Sequence, residues 1–133
     1  MKKVMQSTDE ELFDIIEEKI GEYGIRLSCI KTGENRKVSF ANVNCEVGRA
    51  YLYILKNDLH LEPFGLLEDV FVNEDYRGKG LMKNLVRRVL KIAANHNCYK
   101  VIATSRHERR KVHECYKKLG FAEYGIEFRI NLK

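Results

Sequence analysis

Residues 66–95, "LLEDVFVNEDYRGKGLMKNLVRRVLKIAAN", carry the change of periodicity that decides the fold. The opening residues, Leu66 to Val72, are rich in branched and aromatic side chains and read as a strand, apolar enough to be central. From Leu81 the period lengthens. Leu81, Leu85, Val89 and Ile92 fall on one stripe with Met82, Val86, Leu90 and Ala93 beside them, while Lys83, Arg87, Arg88 and Lys91 take the other face. That is an amphipathic helix reaching Asn95. Between strand and helix lies Tyr76-Arg-Gly-Lys-Gly-Leu81. Glycine is tolerated where backbone bends sharply or approaches a ligand, and the first amides of a helix have no partner within it. An anion suits such a turn. The spacing is neither that of a P-loop nor the G-x-G-x-x-G of a dinucleotide fold, and a plain tight turn is the competing reading of these residues alone.

Outward from this stretch, Thr8 and Glu11 have capping-box spacing, and Leu12, Ile15, Ile16 and Ile20 follow at helical intervals up to Gly21 or Gly24. The pattern predicts a helix. "IRLSCIK" and "KVSFANVNCEV" alternate around "TGEN" and predict an antiparallel hairpin; "AYLYILK" predicts a third strand and "NDLHLEPFG" a loop. Beyond the central helix, "CYKVIAT" reads as a strand, "RRKVHECYKKLG" as a short helix closed by Gly120, and "AEYGIEFRINLK" as one or two final strands. The order of elements is that of an α+β (mixed α/β) fold on one largely antiparallel sheet. At 133 residues, 44% of them hydrophobic, the expectation is a single domain spanning 1–133.

No apolar run approaches a membrane span, and "MKKVMQSTDEELF" has no apolar signal core, so a soluble, cytoplasmic protein is expected. Cys29, Cys45, Cys98 and Cys115 form no C-x-x-C pair and read as reduced, buried thiols. The net charge of +5 is unevenly spread: Tyr76 to Lys118 holds thirteen Lys or Arg against two acids, a net +11, leaving −6 for the rest. Such a block is either a solvated face or the footprint of a polyanion.

A second segment, "HECYKKLGF" at 113–121, follows one strand later. Together with "VNEDYRGKGLMKNLV" it resembles the two best-marked segments of the GCN5-related N-acetyltransferase superfamily, an R/Q-x-x-G-x-G/A loop and a Y-x-x-x-G-F helix. The resemblance is best from Leu66 to Phe121. Within it, Glu68-Asp69, "CYKV" at 98–101, and Arg109, His113 and Tyr116 in an R-x-x-x-H-x-x-Y arrangement are similar to small bacterial-type acetyltransferases. The "ED", "CYK" and loop segments also look like glucosamine-phosphate N-acetyltransferases. One departure is Met82, where the family loop has a small residue.

The resemblance implies a GNAT-like acyl-CoA N-acyltransferase fold, a mostly antiparallel twisted sheet flanked by helices, and an enzyme that moves an acetyl group from acetyl-CoA to a primary amine by direct attack. Arg77, Gly78, Lys79, Gly80, Leu81, Met82 and Lys83 would hold the diphosphate, main-chain groups of Val70, Phe71 and Val72 the pantetheine arm, and Arg109 is a further cofactor candidate. Tyr116 occupies the position of the family's tyrosine and would protonate the leaving thiolate, a step a phenol of pKa about 10 can perform without ionising at pH 7. Glu68 is the first candidate base and Asp69 the second, alternation sending them to opposite faces; a structural carboxylate is the alternative. The oxyanion donor implied is the N–H of Val70 or Phe71. His113 and Arg110 are candidates for the acceptor, which is open between amino-sugar phosphate, polyamine-like or amino-acid amine, and peptide. His113 as a packing residue, and the arginines as solvated surface, are the bland alternatives.

His60, His96 and His107 show no metal-ligand spacing, so no metal is expected. Cys115 lies beside Tyr116, yet His113 two residues away is on another helical face, which argues against a thiol enzyme. The rival functions are a basic nucleic-acid-binding module, disfavoured because the block has few aromatics for stacking, and a CoA-sensing fold without turnover. No nucleic-acid or membrane partner is expected. The family's homodimers, some formed by exchanging C-terminal strands, make "IEFRINLK" a candidate dimer strand.

Overall fold

Strand pairing on both sides settles the N-terminal third of the chain. A computed structural model describes residues 4–6, 12–31 and 46–133. It divides into two units, one ending at Ala103 and one from Thr104 to Lys133. In the first, β1 (Val4–Gln6), β2 (Leu12–Ile20), β3 (Gly24–Lys31), β4 (Glu46–Leu55), β5 (Phe64–Val72) and β6 (Val101–Ala103) form one six-stranded sheet in that order. Every neighbouring pair is antiparallel except β5 and β6, which run parallel. The sheet is thus mostly antiparallel and the architecture α+β, as the element order implies.

The expected N-terminal helix is instead β2. Its ladder to β3 runs from Phe13 opposite Lys31 to Ile20 opposite Gly24, and β1 pairs along its other side. Phe13 and Ile15, two residues apart on one face, are buried at 0% and 3% exposure, while Asp14 is buried on the other. Two-sided pairing and burial by alternation override a coincidental helical spacing, and branched residues suit the pleated surface. Thr8 and Glu11, the supposed capping box, lie outside the described residues. So do the "TGEN" turn and most of "KVSFANVNCEV"; the end of that expected strand, Glu46 and Val47, runs without a break into the expected third strand "AYLYILK" to make β4, and it is residues 46–53 that pair antiparallel with β3.

α1 (Leu81–Asn95) begins and ends where the periodicity places it, burying Leu81, Leu85, Val86, Val89, Ile92 and Ala93. It packs on β3, β4 and β5. Gly48 makes room for it: a Cβ there would stand 3.3 Å from Leu85 Cδ1 as well as 3.1 Å from the Phe71 carbonyl oxygen, whereas a Cβ at Gly65 would crowd Leu52 Cδ1 of β4 at 3.0 Å. Strand glycines of this kind mark close approach.

In the second unit, α2 (Arg110–Lys118) ends at Gly120, whose φ of +102° is one that glycine adopts freely. Phe121 N–H reaches back to Tyr116 O and Gly120 N–H to Lys117 O, the paired bonds of a Schellman stop. The expected final strands do not form; residues 121–133 carry no strand. Ile126, Phe128, Ile130 and Leu132 do alternate, but all are 73–91% exposed, and alternation without an adjacent strand to pair with makes no ladder. Among the described cysteines Cys29 is buried, whereas Cys98 and Cys115 are partly exposed, so the expectation of buried thiols fails for these two. No described helix is long and apolar enough to cross a membrane.

Candidate functional site

β5 is paired to β6 only over Gly65, Leu66 and Leu67. Beyond Leu67 no described strand pairs with that side of β5, so among the described residues the edge from Glu68 to Val72 is open. Main-chain donors and acceptors along such an edge are available to an extended ligand. The open segment also carries a bulge. Tyr51 is opposite Glu68 and Arg49 opposite Phe71, so three steps on β5 match two on β4, and Asp69 takes φ +49°. An aspartate there is uncommon and locally costly, of order 1 kcal/mol, and such costs cluster at functional sites. The bulge corrects the alternation argument for the two acids: Glu68 is half-buried and Asp69 exposed, but simple alternation does not pass through Asp69. Val70 is half-buried, Phe71 lies under the Arg49 guanidinium at 4.7 Å, and Val72 is nearly buried.

The open edge runs into the glycine turn. A 3-10 turn at Glu74–Tyr76 is capped by Asn73, whose Oδ1 accepts from Asp75 N–H at 2.9 Å, and Asn73 N–H bonds Val47 O at 2.7 Å. Arg77 Nε donates to Val72 O at 2.9 Å, closing the turn on the end of β5. Part of this cofactor candidate is therefore engaged in holding the turn. Lys79 Nζ lies 5.9 Å from the centre of the Tyr76 ring, and that ring meets Phe13 edge-on at 5.9 Å. Gly78 and Gly80 have φ of +80° and +82°, values that glycine adopts without penalty, and nothing stands within 4 Å of where a Cβ would be. Gly80 is the N-cap of α1 and no side chain caps the helix. The first intrahelical bond is Asn84 N–H to Gly80 O at 3.1 Å, so the amides of Leu81, Met82 and Lys83 precede the ladder. With the helix dipole behind them, amides in this position suit an anion. Met82 is half-buried and leaves Leu81 at 2% exposure, so the helix start is not displaced.

The remaining candidates belong to the second unit. Tyr116 is partly buried with its ring 5.1 Å from that of Phe121. In the Schellman stop these are the residues that make the accompanying apolar contact, which gives Y-x-x-x-G-F a physical meaning: it is a helix terminus that fixes the tyrosine ring. His113 Nε2 is 2.8 Å from Arg106 O. A carbonyl only accepts, so Nε2 carries the proton and Nδ1 is the basic nitrogen. Arg109 is the N-cap of α2 and Arg110 its first residue, both exposed.

Three features of the first unit were not read in the sequence. The bulge has no composition signal. The termination of β6 at Ala103 opens the edge. On β3 and β4, Arg26, only 8% exposed, donates to Ser28 Oγ at 3.2 Å, to the Tyr51 hydroxyl and to Glu46. Burial opposes the Arg26 charge, but the hydrogen bond and charge of Glu46, aided by Tyr51, outweigh it and hold its pKa above the usual value. A cavity of about 460 Å³ lined by Glu17, Glu18, Tyr23 and His96 lies at the opposite end of α1 from the glycine turn, roughly 22 Å of helix away. Among the described residues no cluster of three or more His, Cys, Asp or Glu could hold a metal.

The sequence matches the acetyltransferase (GNAT) family over residues 10–121. It is 42% identical over 66 residues to a probable glucosamine 6-phosphate N-acetyltransferase of Oryza sativa subsp. japonica, covering 50% of this chain and 38% of that protein. It is 40% identical over 68 residues to a glucosamine 6-phosphate N-acetyltransferase of Trypanosoma brucei brucei, covering 51% and 44%. The chain thus spans less than half the length of these curated relatives. Among solved structures, a Trypanosoma brucei acetyltransferase superposes with a TM-score of 0.67 at 29% identity over 82% of this chain and 69% of that one. A glucosamine-6-phosphate N-acetyltransferase from Arabidopsis thaliana gives 0.69 at 22% identity over 85% and 69%, a likeness of fold.

Proposed function

The chain belongs to the acetyltransferase (GNAT) family, and from that premise we propose that it transfers an acetyl group from acetyl-CoA to a primary amine of a small molecule. The observation that carries this reading is the open edge of β5 from Glu68 to Val72, leading directly into uncapped amides at the start of α1. A pantetheine arm has amides of its own and pairs along such an edge as an added strand does, with the main chain of Val70 and Val72, which alternation turns away from β4, while the Phe71 carbonyl faces β4 beside Gly48. The diphosphate sits on the amides from Gly78 to Lys83, each charge-assisted bond contributing about 1.5–3 kcal/mol. Arg109 is the second unit's candidate for the cofactor.

In the reaction proposed, the neutral amine attacks the thioester carbonyl, the N–H of Val70 or Phe71 stabilises the oxyanion, and the C–S bond breaks to release the thiolate. Glu68 takes the proton that the attacking amine loses, with Asp69 the second candidate. Tyr116 supplies the proton to sulfur, and its placement at a fixed helix stop supports that role. His113 through Nδ1, and Arg110, serve the acceptor. The named relatives make a phosphorylated amino sugar the first acceptor to try, ahead of polyamines, amino acids and peptides.

The test is thiol release by purified protein from acetyl-CoA against glucosamine 6-phosphate, spermidine, amino acids and peptides. Amine-dependent release is expected for at least one of them. A folded protein that binds CoA but releases thiol with none refutes turnover and leaves a CoA-binding fold.

A further inference from the structure

We propose that Tyr51 contacts the amine acceptor, donating its phenolic O–H to an oxygen of a hydroxyl- or phosphate-bearing amine beside Glu68. This rests on the reading above, in which the acceptor meets Glu68. Tyr51 is the ladder partner of Glu68 on one side and of Arg26 on the other, so the three side chains stand in a row across β3, β4 and β5 on one face. The row ends at the bulge. Arg26 is buried, while Tyr51 and Glu68 are half-buried and so reachable.

The chemistry of the row fixes what the phenol can do. Guanidinium is a donor only, so in the Arg26–Tyr51 bond the phenol oxygen accepts and its own hydrogen is left for another partner. Arg26 is in turn held by Glu46, whose side chain is 3% exposed, and by Ser28. The Tyr51 ring stacks on Tyr53 at 6.4 Å and 7°, which restrains its swing along the strand. A buried ion pair is poor value for stability compared with apolar packing, and its best-attested use is to specify one arrangement. Here the arrangement it specifies is a tyrosine with a fixed oxygen and an uncommitted hydrogen, next to the candidate base.

The experiment compares wild type and Tyr51→Phe, assayed well below the lower of the two melting temperatures, with glucosamine 6-phosphate and with butylamine as acceptors. Loss of one hydrogen bond raises the KM for glucosamine 6-phosphate about three- to tenfold. The KM for acetyl-CoA and the rate with butylamine stay within twofold, which a merely structural defect would not spare. Equal constants for the two proteins with glucosamine 6-phosphate overturn the assignment, as does a parallel loss with butylamine or acetyl-CoA. So does an active wild type that ignores glucosamine 6-phosphate. A wild type that acetylates no amine overturns the reading it rests on as well.

Discussion

Replacing Gly80 with alanine separates strain from ligand binding. Gly80 sits at φ +82° and ψ +11°, the left-handed region, and a Cβ there meets nothing within 4 Å. The substitution therefore produces no clash, and its cost is that of an L-residue in this conformation, about 1–2 kcal/mol. With an unfolding entropy of about 2.1 cal/mol/K per residue, a chain of this length loses about 4–7 °C in melting temperature. If the backbone relaxes to a negative φ instead, the stability cost shrinks but the amides of Leu81, Met82 and Lys83 are re-aimed. Losing one charge-assisted bond to the diphosphate then weakens CoA binding at least tenfold. Gly21→Ala is the control: Gly21 also has positive φ, +59°, with open space around it, but lies in the β2–β3 turn. It should lose stability and keep CoA affinity. The assay is calorimetric titration of CoA together with thermal melts of all three proteins. Wild-type melting together with wild-type CoA affinity in Gly80→Ala, or an equal loss of affinity in Gly21→Ala, contradicts this.

Tyr116→Phe keeps the ring contact with Phe121 and the helix stop, while loss of a general acid lowers kcat about 100-fold with the KM for acetyl-CoA unchanged; an unaltered kcat removes Tyr116 from the chemistry. Gly48→Ala forces a methyl to 3.1 Å from Phe71 O and 3.3 Å from Leu85, an overpacking that costs about 1–3 kcal/mol in urea unfolding, and a neutral result would mean that α1 is not seated closely on β4. Burial, with the charges of Asp14 and Glu46 adding, pushes the Cys29 thiol up to about 12. An unfolded thiol titrates near pH 8.5, so its contribution to stability is intact below that value and is lost as pH rises from there through 12, at up to about 1.4 kcal/mol per pH unit. The alkaline slope of stability should be shallower in Cys29→Ala, and an identical slope would contradict the burial argument.

What could be read in the sequence was local. The span of α1 follows from residues only three or four apart, and the glycine turn and helix stop from backbone demands that a single residue type meets: Gly78, Gly80 and Gly120 all take positive φ. β2 escaped because its identity depends on β1 and β3, distant partners whose pairing outweighs the spacing of Ile15, Ile16 and Ile20. The tail erred in the opposite direction, alternating from Ile126 to Leu132 without forming a strand. The site divides the same way. Its glycine turn is local, whereas the bulge at Asp69 arises from a mismatch between β4 and β5, and the Arg26–Glu46 pair links positions 20 residues apart. Gly48 was the clue available, a glycine within β4 beside the helix.

The most direct measurement is the crystal structure of the protein with acetyl-CoA. Pantetheine amides should be hydrogen-bonded to the main chain of Val70 and Val72, and the diphosphate should lie on the amides between Gly78 and Lys83. A ligand bound elsewhere, or an edge from Glu68 to Val72 covered by the protein's own backbone, would contradict it.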